Sequence, residues 1–387
     1  MQLSKFLSNR TPVPRTKISF LTLFLLLGLL ILGSSGQALA QGNTADAVYA
    51  MNNDAIANAI MVFDRAPDGT LTQAGSYLTG GSGTGGGLGS QGALVLSDDG
   101  RWLFAVNAGS NEISVFAADG NTLHLTDTIA SGGVQPISLT SNGRWLYVLN
   151  AGDSGNITGF RLDRNGHLSP IPRSTQYLSN GGVGDAPGPA QVAYTPDGRH
   201  LVVTEKGSNQ LLTYAVRRSG HALAPVVTAS EGMTPFGFDF TPDGVLIVSE
   251  AFGGAADASA ASSYGFNQGN LEAISSSVPT NQTAACWVVV TPDGKYAYTT
   301  NTGSSSVSGF EVSPSGSLEL LDADGVTGQT GDGSSPIDAI FSSNGATLYV
   351  LSGGTNTVTA FHVAADGSLT NLGSVSVPAG SVGITAN

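Results

Sequence analysis

The stretch Asn142-Gly143-Arg144-Trp145-Leu146-Tyr147-Val148-Leu149-Asn150 decides the fold, because the chain repeats it. A near copy is Asp99-Gly100-Arg101-Trp102-Leu103-Phe104-Ala105-Val106-Asn107, and further copies turn at Asp197-Gly198, Asp243-Gly244, Asp293-Gly294 and Asn344-Gly345. In each, a turn dipeptide separates a short apolar run from an alternating aromatic run that mostly ends in Asn or Glu. Asn-Gly and Asp-Gly accept positive φ at both central positions, so each copy predicts a two-residue hairpin between a strand A and a strand B.

A second series of turns follows at Gly69, Gly120, Gly166, Gly220, Gly269, Gly316 and Gly367. Each comes after an alternating run such as Val307-Ser308-Gly309-Phe310, and a Leu within about three residues opens the next run. These are strands C and D. The spacing of 46 to 54 residues is that of a four-stranded propeller blade.

There are seven C–D turns but six A–B turns. The first unit has a strand B, Val48-Tyr49-Ala50-Met51-Asn52, with no strand A before it. At the other end, Ser381-Val382-Gly383-Ile384-Thr385-Ala386 reads as a strand A with no strand B after it. The expected fold is therefore all-β: a seven-bladed β-propeller of four-stranded antiparallel blades, its ring closed by the C-terminal strand so that no sheet edge stays open. An open solenoid or a pair of sandwiches is the alternative.

Composition agrees. Of 387 residues 53 are Gly and only 11% are charged, while 41% are hydrophobic. That excludes coiled coils and disorder, and the glycines lack the three-residue period of collagen. Residues 1–40 read as a secretory signal peptide, with Lys5, Arg10, Arg15 and Lys17 before the apolar run Ile18 to Leu32 and a small-residue site ending at Ala40. A retained anchor is the other reading of that run, short as it is for a membrane span. Cleavage would leave residues 41–387 as one domain with 11 basic against 28 acidic residues, a net charge of −17. Such a surface excludes nucleic acid and anionic lipid as partners. The expectation is a secreted or periplasmic monomer with no membrane insertion after cleavage. Cys286, the only cysteine, can form no disulfide within the chain.

Arg144-Trp145-Leu146-Tyr147-Val148-Leu149-Asn150, the Gly188-Pro189 lead into Thr195-Pro196-Asp197-Gly198, and Thr291-Pro292-Asp293-Gly294-Lys295-Tyr296-Ala297-Tyr298 resemble the YVTN-type repeats of the seven-bladed lactonase-family propellers. That family includes 6-phosphogluconolactonases and 3-carboxymuconate cyclase-type enzymes, and the resemblance covers essentially the whole chain after residue 40. It implies a lactone-opening hydrolase. In the phosphogluconolactonase-type members a basic residue and a His follow the Gly-Pro pair and a Glu stands near the end of strand B. Here Ala190-Gln191 follow, and Glu205 and Lys206 hold the last positions. This departure from the family's pattern removes the cationic partners a phosphorylated sugar acid would need and points to a neutral substrate instead.

Strand B should end beside the channel mouth, together with the D–A loops. The seven equivalent positions are Asn52, Asn107, Asn150, Glu205, Glu250, Asn301 and Ser352, and Gln191, Trp287 and Asp338 lie near the starts of strands A. Long segments at Gly80 to Gly92, Leu178 to Pro189 and Asp324 to Ser335 fall on the same face, where loops usually carry binding. Two readings follow. In one, Glu205 or Glu250 acts as general base toward water and Lys206 offsets charge on a lactone carbonyl oxygen, while Gln191, Asn107, Asn150, Asn301, Trp287 and Asp338 bind the ligand. In the other, the Asn/Glu ring caps local backbone and the loop face binds a glycan, an envelope component or a protein without catalysis. No cofactor is expected. Ca²⁺ is the metal the oxygen ligands would suit, but the loop begun by Asp322-Ala323-Asp324-Gly325 has Gly333 where a calcium loop needs Glu, and the five His show no zinc spacing.

Overall fold

The computed structural model describes residues 46–387 except Gln268; the expected signal peptide lies outside the described residues. The alternating runs pair as the repeat demands. A strands, in blade order, are Val382–Ala386, Leu94–Leu96, Pro136–Asn142, Pro189–Tyr194, Pro235–Phe240, Ala285–Val290 and Pro336–Phe341. B strands are Ala47–Met51, Trp102–Asn107, Trp145–Asn150, His200–Glu205, Leu246–Glu250, Tyr296–Asn301 and Thr347–Ser352. Each A pairs antiparallel with its B, then C and D follow outward, as in Gln210–Ala215 and Val226–Ala229 of blade 4. In blades 3 and 6 two short strands share the outermost place. Blade 1 takes its A strand from the C-terminus, with Tyr49 opposite Thr385 and Ala50 opposite Ile384. The described residues thus form seven blades, and the ring closes through the last strand.

Burial explains the sequence pattern. Strand B is covered on both faces by neighbouring blades, so Trp145–Asn150 is buried from Leu146 onward. Strand D lies at the rim, and Leu71–Leu78 is largely exposed. Between blades, a hydroxyl of one blade donates to the carbonyl of every C–D turn glycine of the next. Tyr49 holds Gly120 at 2.5 Å, Thr126 holds Gly166 at 3.0 Å, Tyr147 holds Gly220 at 2.7 Å and Thr213 holds Gly269 at 2.5 Å. Ser263 holds Gly316 at 2.6 Å, Tyr298 holds Gly367 at 2.7 Å, and Tyr349 closes the series on Gly69 at 2.9 Å. A buried carbonyl without a donor is costly, so these bonds fix blade-to-blade register.

The A–B turns differ from the two-residue expectation. In five of the six the glycine N–H bonds the carbonyl three residues back, as Gly198 to Thr195 at 2.8 Å, and the glycine alone takes positive φ. The Ser or Thr that opens these turns, unnoticed in the dipeptide reading, decides this. The Thr195 Oγ1 accepts the His200 N–H at 3.1 Å while Asp197 accepts the Arg199 N–H at 3.0 Å, which stabilises a longer turn.

Candidate functional site at the channel mouth

The mouth is built where A strands start and B strands end. Its B-end ring is closed over, the arrangement of the second of the two readings, in which the Asn/Glu positions cap local backbone. Asn107, Asn150, Glu205, Glu250 and Asn301 are all fully buried. The reason is that B is second from the axis and its last residue is roofed by the D–A loop from the preceding blade. Glu205 accepts the Ser179 N–H at 2.9 Å and the hydroxyls of Ser179 and Ser208, each at 2.5 Å. Glu250 accepts the Gly232 N–H at 2.8 Å, the Ser262 hydroxyl at 2.5 Å and the Ser277 hydroxyl at 2.6 Å. Burial raises the Glu250 carboxyl above its ordinary range, and these three bonds oppose the rise. Asn107 donates to Ser114 at 2.8 Å and accepts from Asn58 and Thr79. Asn150 donates to Asn156 at 2.9 Å, and Asn301 to Ser308 at 2.8 Å. The geometry of this ring is that of caps on the loops.

The inner-strand residues are likewise engaged between blades. The inner edge of each A strand has no further strand to pair with, so its amides need side-chain partners. Gln191 supplies both, donating to the Phe238 carbonyl at 2.9 Å and accepting the Phe238 N–H at 2.7 Å. Ser138 accepts the Val192 N–H at 3.1 Å, and Asp239 accepts the Val290 N–H at 2.8 Å. Asp338 accepts the N–H groups of Ala339 and Ile384. Burial pushes Asp338 up to about 8 and Asp239 up to about 6, against the backbone N–H bonds that each accepts.

At the equivalent place in blade 5 stands Gly237, which has no side chain to offer. The vacancy is filled from across the axis. Gln91, just before blade 2, donates to the Val288 carbonyl at 2.7 Å and accepts the Val288 N–H at 3.1 Å. A Cβ on Gly237 would fall on the Gln91 Oε1. The segment leading to Gln91 lies over the mouth as a strap. Ser90 Oγ donates to the Ile137 carbonyl at 2.8 Å, Gln91 N–H to the Ala190 carbonyl at 3.2 Å, and Trp287 Nε1 to the Ser90 carbonyl at 2.9 Å. Contacts with blades 3, 4, 5 and 6 require the strap to cross the channel. Of these residues, the sequence had pointed to Trp287, to Ala190 after the Gly-Pro pair, and to the glycine-rich segment that contains Ser90 and Gln91.

Lys206 is the half-buried member of the expected set. Its Nζ donates to the Gly89 carbonyl at 2.5 Å and lies 4.5 Å from the centre of the Phe236 ring. Burial lowers it to about 8, and burial pushes the neighbouring Cys286 thiol up to about 11. Phe236 and Trp287 pack with centroids 4.8 Å apart, and with Ala190, Ala251 and Cys286 they form an apolar floor. The arrangement can present one ammonium and one indole N–H to acceptor oxygens in a water-poor setting. No cluster of three or more His, Cys, Asp or Glu side chains placed to hold a metal occurs among the described residues.

Residues 56–181, 173–282 and 260–383 match the family described as "Lactonase, 7-bladed beta-propeller", and the chain belongs to that family. The uncharacterized protein YwcC of Lactococcus lactis is 27% identical over 242 residues, 59% of this chain and 69% of that protein. Among solved structures, a putative 6-phosphogluconolactonase of Bacteroides uniformis is 20% identical with a TM-score of 0.71, covering 89% of this chain and all of that one. The periplasmic gluconolactonase PpgL of Pseudomonas aeruginosa is 17% identical with a TM-score of 0.67, covering 88% of this chain and 98% of that one. These two likenesses show the fold; family membership supports a lactonase-type function.

Proposed function

We propose that the chain hydrolyses an uncharged, hydroxylated lactone at the channel mouth, with Lys206 receiving the carbonyl oxygen. The observation that carries this reading is the 2.5 Å bond from the Lys206 ammonium to a carbonyl, beside the aromatic pair Phe236 and Trp287. Water adds to the acyl carbon, the ring C–O bond breaks, and the proton released by water ends on the ring oxygen as a hydroxyl. Charge that develops on the carbonyl oxygen is offset by the ammonium, a kind of contribution worth about 10² to 10³ in kcat. Ala190-Gln191 after Gly188-Pro189 supply no cation for a phosphate, which favours a neutral substrate. Export through residues 1–40 would suit a substrate met outside the cytoplasm.

Burial of Glu205 and Glu250 favours a second reading, in which the same mouth binds a glycan, an envelope component or a protein without turnover. A panel of sugar and aliphatic lactones at neutral pH separates the two. Turnover lost in Lys206→Met at unchanged melting temperature supports hydrolysis; silence of the wild-type protein across the panel, with binding retained, supports the second reading.

A further inference from the structure

The strap occupies the donors a ligand would use. The Gly89 carbonyl sits on Lys206 Nζ, and the next carbonyl, that of Ser90, sits on Trp287 Nε1. Two successive acceptor oxygens therefore satisfy the two mouth donors at rest. The chain before them is anchored up to Gly86, whose carbonyl accepts the Asn53 Nδ2 at 2.6 Å. Gly86 and Gly87 stand apart from the other glycines of this loop. Neither has positive φ, and a Cβ on either would meet nothing within 4 Å. The closed conformation gives no reason for glycine at either place, whereas a pivot does.

We propose that residues 88–91 are an internal stand-in for the ligand, swinging about Gly86–Gly87 to release Lys206 and Trp287 to a neutral ligand with two neighbouring acceptor oxygens. Hydroxylated lactones and the hydroxyl-carbonyl pairs of sugar acids esterified within the ring belong to that class. Vacating the strap leaves the Lys206 ammonium, the Trp287 indole N–H and the Val288 N–H and carbonyl without these partners, so the strap closes again unless a ligand replaces it. Gln91 is a positioning residue here: its two bonds to Val288 hold the strap shut. The proposal deepens the reading of the mouth as a lactone site, but its test does not read turnover.

The test is acetylation of Lys206 by N-succinimidyl acetate, followed by peptide mass spectrometry with exposed Lys295 as internal reference. Gln91→Ala should label Lys206 about tenfold faster, having lost both bonds of the latch. Gly86→Ala/Gly87→Ala should label it roughly fivefold slower at an equal or slightly higher melting temperature, since alanine narrows the open ensemble. Labelling at the wild-type rate in both variants overturns the proposal; if Gln91→Ala does not fold, the glycine pair decides alone. D-Glucono-1,5-lactone should protect Lys206 in Gln91→Ala, and failure to protect overturns the ligand class. A wild-type protein that turns over no lactone would defeat the proposed activity and leave these labelling results standing.

Discussion

Gln91 completes the inner strand of blade 6 at Val288, 197 residues further along the chain, in the place that Gly237 of blade 5 leaves vacant. In blade 4, Gln191 makes the same two bonds to Phe238 from within the ring. One seam of the propeller is therefore held by a residue that belongs to another blade's approach loop. The consequence is that mouth architecture and ring stability are coupled.

Gly237→Ala tests that coupling. Its Cβ would meet Gln91 Oε1 and lie 2.7 Å from the Cys286 carbonyl oxygen, a backbone atom that yields little. The expected loss is about 1–3 kcal/mol of stability from overpacking, read by denaturant unfolding. A variant as stable as the wild type would show that Gln91 is not seated there.

Asp338 and Asp239 make stability fall with rising pH. A carboxyl whose folded pKa lies above its unfolded value holds its proton more tightly when folded, so its contribution is present at low pH and is lost as pH rises. For Asp338 the window runs from 3.8 to about 8, and for Asp239 from 3.8 to about 6. Each group contributes a slope approaching 1.4 kcal/mol per pH unit inside its window. Asp338→Asn, whose Oδ1 can still accept the Ala339 N–H, should flatten the dependence between pH 6 and 8 and exceed the wild type in stability at pH 8, as measured by urea unfolding.

Double substitution Glu205→Gln/Glu250→Gln separates capping from catalysis. Each carboxylate receives three donors, and a Gln amide turns one acceptor oxygen into a donor facing hydroxyls. Stability should fall by about 1–3 kcal/mol per site while lactone turnover per folded molecule persists. Turnover that disappears without a change in melting temperature would restore the general-base role.

Lys206 sets a pH limit on the proposed hydrolysis. Its ammonium deprotonates near 8, so kcat/KM for a lactone should decline above that pH, after correction for spontaneous opening. A rate that keeps rising through pH 9 at the same enzyme concentration would remove Lys206 as the charged donor.

Ring closure has its own test. Deleting residues 381–387 removes the A strand of blade 1, which pairs Val382–Ala386 with Ala47–Met51. The inner edge of that blade would then be exposed on both sides of the seam. A fall in Tm of at least about 10 °C is expected, as several kcal/mol of pairing and burial are lost.

Blade number, strand order and closure were legible in the amino-acid order because they rest on local chemistry repeated seven times. Gly69 and its six counterparts all take positive φ, and the unmatched runs at Val48 and Val382 do pair. Where local reading erred, as in the A–B turns, the missed signal was itself local: the Thr195 or Thr291 before the dipeptide. The fate of Glu205 and Glu250 depended on something else. Only the loop from the preceding blade, bringing Ser179 to one and Gly232 to the other, buries them, and that approach is set by blade packing rather than by spacing along the chain. Gln91 carried no periodic signal at all. Its partners are contributed by Val288 and by the missing side chain of Gly237, and only closing the ring brings an approach loop of blade 2 across the axis to the seam of blades 5 and 6.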